Sequence, residues 1–292
     1  MTSPRVSLLA TLIVLGTGMA WGFYWLAVRM IEARGLPGAW GTVAITLAAA
    51  ALIWPFAKAA PRETARLPAA FVALGGGAFA LYSVGFVEGR VAMIILLWFF
   101  SPVWSTLIGR FVMGWPVSPL RLASIVVGLL GLAVLLGADG VPLPENRGEW
   151  MSLLGGVLWS VSTTGIRVLP PLPTARAALV FAQGAAATAL ALALALAPAP
   201  APALADLPAL AAIALAAGGF WWGLTLAGLM WAAARLDPAR VSILLMAEVL
   251  VGALSAAFLA GESLDAAVIL GGGLILAAGL LEVWPQRMTG PD

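Results

Sequence analysis

The sequence predicts an all-α integral membrane protein: ten transmembrane helices, arranged as two inverted five-helix repeats around a central cavity. Three observations lead there. Hydrophobic residues make up 62% of the 292 positions and charged residues only 10%, against about 25% charged in soluble domains, and the mean hydropathy is +1.05. The apolar character falls into ten separate spans. Features of the first half recur in the second at nearly constant spacing.

The spans cover residues 7–31, 38–57, 68–87, 91–113, 120–138, 149–169, 174–197, 208–233, 239–260 and 264–284. Most are close to the roughly 20 residues that a helix needs to cross about 30 Å of hydrocarbon. Span one is longer than the apolar core of a signal peptide, has no convincing small-x-small cleavage site and leads into further spans, so it is expected to be retained. The ninth span has the clearest boundaries. Asp237-Pro238 supplies a capping acid and a proline at the first helical position, and Gly261-Glu262-Ser263 ends the apolar run.

Basic residues set the orientation. With the N-terminus in the cytoplasm, Arg5, Lys58, Arg62, Arg66, Arg110, Arg121, Arg167, Arg176, Arg235, Arg240 and Arg287 fall inside, and only Arg29, Arg34, Arg90 and Arg147 fall outside. Both termini are therefore expected to be cytoplasmic. Five spans per unit is an odd number, so the second unit enters the membrane from the opposite side, as in the inverted repeats of secondary transporters. The first repeat takes residues 1–138, a polar connection 139–147, the second repeat 148–285, and a cytoplasmic tail 286–292. The Ala-Pro alternation around Pro198–Pro202 reads as a short extended loop or a frayed helix end.

Composition excludes several kinds of chemistry. There is no cysteine and no histidine, which removes disulfides, thiol chemistry, the usual zinc sites and His-dependent nucleophilic catalysis. No glycine cluster follows a strand in the GxGxxG pattern, so nucleotide binding is not indicated. A formal net charge of +2 gives no reason to expect nucleic acid. No cofactor is expected.

The duplication is legible in particular residues. Gly114 and Gly261 stand 147 positions apart, which sets Ser101 opposite Glu248; Trp21 and Arg29 stand 138 positions before Trp159 and Arg167. The extra Ala-Pro run near Pro198 can absorb the nine-residue difference. Two tandem units, each with a Trp-bearing first helix, a fourth helix that reads S-x-L-L-x-x-E followed by G-E-x-L in the second copy, and a glycine-rich fifth helix, resemble the EamA repeats of the drug/metabolite transporter superfamily. The resemblance spans nearly the whole chain. Within the superfamily, length and tryptophan content are most similar to YddG-type exporters of aromatic amino acids. Val249 stands where the family often has proline after the acid, and Trp115 replaces the usual acid after glycine, so family roles are not carried to those two positions. The resemblance implies amino-acid export across a bacterial inner membrane by alternating access, with the helices surrounding a central pathway. It implies no enzyme activity. A monomer is expected to suffice, with membrane lipid and a small-molecule substrate as partners.

Glu248 is the sharpest individual signal. It is the one charge between Arg240 and Glu262, and a carboxylate at mid-membrane costs a few kcal/mol or more unless it finds partners, water or a proton. Gly252 and Ser255 share its helical face, so that face is expected to pack inward. A structural role, a substrate contact and proton handling all stay open for it. The thirteen tryptophans form the second signal. Trp54, Trp115, Trp150, Trp231 and Trp284 lie near span ends as interfacial anchors, whereas Trp21, Trp98, Trp104, Trp159, Trp221 and Trp222 lie near span centres. Phe79, Tyr82, Ser83 and Phe86 follow one helical face in span three, and Trp98, Ser101 and Ser105 one face in span four. The candidate substrate-binding set is Trp21, Phe79, Tyr82, Ser83, Trp98, Ser101, Trp159, Trp222, Met246 and Glu248. Filling the space between helices is the plain alternative for any single ring. Arg29 and Arg167 are expected to snorkel to the headgroups, and Arg90 to form a rim pair with neighbouring Glu88.

The solute itself is constrained less tightly. The only lysine is in a predicted loop and the arginines sit near span ends, which argues against phosphorylated substrates. A lipophilic cation fits an acid among rings. A zwitterionic amino acid with an apolar side chain also fits, and the resemblance favours aromatic amino acids. The residues do not distinguish proton coupling from facilitated diffusion. A membrane-embedded enzyme is disfavoured by the single deep acid, and a channel by the inverted duplication.

Overall fold

A computed structural model describes residues 4–59, 65–116, 119–136, 143–198, 200–233, 235–236, 244–245 and 247–283. It is 83% helix, and no strand occurs among the described residues. Among the described residues, six helical segments are long and apolar enough to cross a bilayer: Arg5–Glu32, Trp40–Ala59, Arg66–Glu88, Val91–Phe111, Thr174–Leu196 and Leu204–Leu229. Shorter apolar helices cover Leu122–Val134, Ala247–Ala260 and Ala266–Leu281. Large apolar side chains such as Leu8, Leu12, Leu130, Leu194, Phe258 and Leu270 remain exposed, as they do when the surrounding medium is lipid rather than water. Together these features support a transmembrane helical protein.

In chain order the helices are α1 (Pro4–Trp21), α2 (Tyr24–Glu32), α3 (Trp40–Ala59), α4 (Arg66–Glu88), α5 (Val91–Trp98), α6 (Ser101–Phe111), α7 (Pro119–Leu136), α8 (Arg147–Val168), α9 (Thr174–Leu196), α10 (Leu207–Ala217), a π-helical stretch (Gly218–Thr225) leading into α11 (Leu226–Ala233), α12 (Ala247–Ala260) and α13 (Ala266–Val283). A short 3₁₀ turn, Leu204–Asp206, precedes α10. Where both are described, these boundaries fall within a few residues of the apolar spans.

Two spans are broken where periodicity alone predicts continuity. The first breaks at Gly22-Phe23 between α1 and α2. Gly22 lies so close to α12 that a Cβ there would meet the Gly252 nitrogen and the Val251 side chain at 2.8 Å, so only glycine permits this crossing. The fourth breaks at Phe99-Phe100 between α5 and α6. The Phe99 and Phe100 N–H groups bond back to Ile95 and Leu97 at 3.0 and 3.4 Å, and Pro102 opens α6 without an N–H to continue the ladder. The expected Trp98–Ser101–Ser105 face is therefore divided: Trp98 ends α5 and Ser101 begins α6.

At the start of α8, the Asn146 side chain accepts the Glu149 N–H at 2.9 Å, while the Glu149 carboxylate accepts from the Asn146 amide at 2.7 Å and from the Glu145 N–H at 2.8 Å. This reciprocal cap satisfies helix-end donors that lipid could not. Helix α4 packs between α8 and α9, α3 packs on α9, and α7 packs on α13. Small residues make these seams. A Cβ on Gly131 of α7 would stand 2.9 Å from the Gly271 carbonyl of α13, and the Ser124 hydroxyl donates to the Ala278 carbonyl at 2.6 Å in the same seam. In the α4–α9 seam, a Cβ on Gly76 would overlap the Phe181 carbonyl.

Gly76→Ala is expected to cost about 1–3 kcal/mol of stability, the usual scale of overpacking, whereas Gly273→Ala, with nothing within 4 Å of the new methyl, should match the parent. Melting of the two purified variants in one detergent tests this. Equal melting of Gly76→Ala and parent would contradict so close a seam.

Candidate functional site

The middle of the bundle is built on one acid and a shell of rings. Glu248 lies on α12. The Tyr82 hydroxyl of α4 donates to its Oε1 at 2.7 Å. Tyr82 is fully buried and Glu248 is 8% exposed. Helix α5 packs against both α4 and α12, so the bond bridges two helices that share a neighbour. Trp98, the last residue of α5, stacks on Tyr82 with ring centroids 4.8 Å apart and planes inclined by 28°.

Phe79, one turn before Tyr82, is the hub of the shell. Its ring lies 4.9 Å from Trp98, 5.1 Å from Trp21, 5.4 Å from Trp159, 5.6 Å from Phe181, and 6.0 Å from both Tyr82 and Trp222, each edge-on. Edge-to-face pairs set the positive ring edge against a negative face, and each contributes about 0.5–1.5 kcal/mol beyond its buried area. Helices α1, α4, α5, α8 and α9 and the π-helical stretch all contribute rings. The rings touch one another in a continuous cluster across these helices. Phe79, Trp159 and Phe181 keep partial exposure, while Trp21, Trp98 and Trp222 are buried.

Hydrogen bonds fix the orientation of several rings. Trp21 Nε1 donates to Thr225 Oγ1 at 2.9 Å and Trp221 Nε1 to the Ala20 carbonyl at 2.8 Å. Trp222 Nε1 donates to the Tyr24 hydroxyl at 3.2 Å; Tyr24 and Ser83 share a bond at 3.0 Å, and Ser83 and Thr42 another at 2.8 Å. The π-helical stretch has a wider turn than an α-helix, and such segments recur at functional sites. Here it sends Trp221 and Trp222 to different partners on the α1–α2 unit.

Of the sequence-predicted set, Trp21, Phe79, Tyr82, Trp98, Trp159, Trp222 and Glu248 come together. Ser83 does not join them through its hydroxyl, which belongs to the Trp222–Tyr24–Ser83–Thr42 chain between helices. Ser101 is half-buried at the start of α6, and its carbonyl accepts the Ser160 hydroxyl at 2.8 Å. Met246 lies outside the described residues. Sequence reasoning missed Phe181, Tyr24 and Thr225. Phe181 is a lone ring in an alanine-rich span, with no periodic partner to mark it.

The arginines also depart from expectation. Arg29 is not a free snorkelling side chain: it pairs with Glu262 at 3.2 Å. Arg90 pairs with Asp265 at 3.6 Å rather than with Glu88, because the α5 N-terminus abuts the loop that follows α12. Arg167 lies over the Trp115 ring at 5.1 Å.

No family model and no curated protein matches the sequence. Sixteen chains of solved structures are similar. One of them, a crystal structure described only as that of a protein, is 21% identical with a TM-score of 0.60, and the match covers 93% of this chain and 95% of that one. At that identity the likeness establishes a shared fold.

Tyr82→Phe removes one hydroxyl and leaves the buried Glu248 without its donor, and is expected to cost about 1–3 kcal/mol. Glu248→Gln keeps an oxygen that accepts from Tyr82 and should cost less. Denaturation of both variants checks the order; a Tyr82→Phe protein as stable as the parent would show that the bond contributes nothing.

Proposed function

We propose that the chain is a secondary transporter that exports small amphiphilic solutes, foremost aromatic and other apolar amino acids, by alternating access. The observation that carries this reading is a lone carboxylate, Glu248, bonded to a neutral phenol inside a shell of aromatic rings at the middle of a membrane bundle. Such a site offers a solute an anionic acceptor for its ammonium group and ring faces for both the cation and an apolar side chain. An arriving ammonium competes with the Tyr82 hydroxyl for Glu248 as the side chain parts the ring contacts.

The reading includes ten transmembrane helices in two inverted units. Support comes from matched details in the two halves. Gly114 and Gly261 have φ of 68° and 67°, and in each case the next N–H reaches back six residues, from Trp115 to Gly109 at 2.9 Å and from Glu262 to Ala256 at 3.2 Å. Both ends are thus the same left-handed helix stop, 147 positions apart. The packing also pairs by twofold exchange: α4 packs on α8 and α9, while the α10–π–α11 unit packs on α1, α2 and α3; α5 and α6 pack on α8, while α12 packs on α1. Paired units of this kind let one half exchange roles with the other as the site opens to alternate sides.

Proteoliposomes loaded with labelled phenylalanine or tryptophan test the proposal. The parent is expected to carry both; Glu248→Gln should lower flux at least ~10-fold through loss of a charge-assisted bond, and Trp98→Ala should weaken apparent affinity by roughly tenfold. Efflux of a cationic dye without amino-acid flux would replace the substrate class with lipophilic cations. Solute-independent ion current would indicate a channel.

A further inference from the structure

One end of the bundle carries a cluster that the ring site does not use. Glu262, held just past α12 by the left-handed Gly261, turns its carboxylate onto the N-terminus of α5: Oε1 accepts the Val91 N–H at 2.8 Å and Oε2 the Ala92 N–H at 3.2 Å. These are first-turn donors with no partner inside their own helix. Arg29 of α2 joins the same carboxylate through Nη2 at 3.2 Å, and also donates to the Gly89 carbonyl at 3.1 Å and, through Nε, to the Phe86 carbonyl at 3.0 Å. Its guanidinium lies 5.3 Å from the Trp25 ring centre. Beside it, Arg90 donates to the Ser263 carbonyl at 2.7 Å and pairs with Asp265. The Glu262 side chain is 10% exposed and that of Arg29 32%. One acid and one guanidinium therefore tie together the ends of α2, α4, α5 and α12.

The corresponding corner of the other half has a different chemistry. There the residue after the left-handed glycine is Trp115, and Arg167 sits on its ring. An indole has an N–H but no oxygen to accept a helix's first N–H groups, so this corner cannot repeat the carboxylate cap. A ring–cation contact is also softer than charge-assisted bonds to an acid.

We propose that Arg29 and Glu262 form a latch that holds the α2–α4–α5–α12 end shut at rest, so that the two gates are unequal and the resting protein opens at the Arg167–Trp115 end. This rests on the transport reading of the central site and adds which gate is the stronger. With the N-terminus in the cytoplasm, the latched end is the extracytoplasmic one. The latch also meets the helices of the central site: Tyr82 and the Phe86 carbonyl belong to α4, and Glu262 follows the helix that carries Glu248. Separating α4 from α12 for release therefore requires breaking both ties.

The chain has no cysteine, so a spin-label pair can be placed on it directly. With labels at Glu88→Cys and Ser263→Cys, pulsed electron–electron distance measurement on the full-length protein in lipid nanodiscs should give one short distance across the latched corner. Glu262→Gln and, separately, Arg29→Gln should each raise the population of a longer distance by roughly fivefold or more, the scale of a coupled charge-assisted tie. The double variant should widen it no further than the stronger single change, because both residues serve one latch. Trp115→Ala should leave this distance unchanged. Identical distributions in parent and both single variants, each eluting as a folded species, would overturn the latch, as would equal widening by Trp115→Ala. If the corner widens as described while proteoliposomes carry no amino acid, the latch stands and the transport reading falls.

Discussion

A carboxylate placed among hydrocarbon and rings governs much of this structure. Moving a charged group to mid-membrane costs a few kcal/mol or more, and no apolar packing recovers that cost at the group itself. Glu248 obtains a hydrogen bond from Tyr82 and a place at the edge of a ring shell. Each helper fixes something else. The Tyr82 bond sets α4 against α12, and the ring stacked on Tyr82 brings in the end of α5. The break after Trp98 frees that ring from the helical register of α6. A phenol is also a weaker partner for a carboxylate than a fixed guanidinium would be.

Several uncharged polar groups at depth follow the same constraint. Trp21, Trp25, Trp221 and Trp222 each find an acceptor for the indole N–H, and the hydroxyls of Tyr24, Ser83 and Thr42 share theirs. In lipid these bonds cannot be exchanged for water. They hold the α1–α2 unit to the π-helical stretch on one side and to α12 on the other, where Trp25 donates to Ser255 at 3.0 Å. The ring shell is thus carried on a polar frame, and the charged cluster at Arg29 and Glu262 closes one end of it.

Much of this was legible in the residues. Helix positions followed from apolar length, since lipid leaves few alternatives to a continuous helix. Glu248 stood out because charge at depth is rare, and the central tryptophans because anchoring rings belong at span ends. The two breaks were not legible: Gly22 and Pro102 are tolerated in many membrane helices, and what distinguishes them is the approach of α12 and the end of α5, which are tertiary facts. Ser83 illustrates another limit. Helical spacing groups it with Tyr82, but adjacent residues differ by about 100° in direction, and its hydroxyl found Tyr24 and Thr42 instead. The Arg29–Glu262 pair spans 233 positions, beyond the reach of local patterning.

The central claim is that Glu248 receives the amino group of a solute in place of Tyr82. A structure of the full-length protein determined with phenylalanine bound tests it most directly. The account predicts the ammonium nitrogen within about 3 Å of a Glu248 oxygen, the Tyr82 hydroxyl displaced, and the solute's ring among Phe79, Trp98 and Trp159. Phenylalanine bound elsewhere, with the Tyr82–Glu248 bond intact and the ring shell closed, would contradict it.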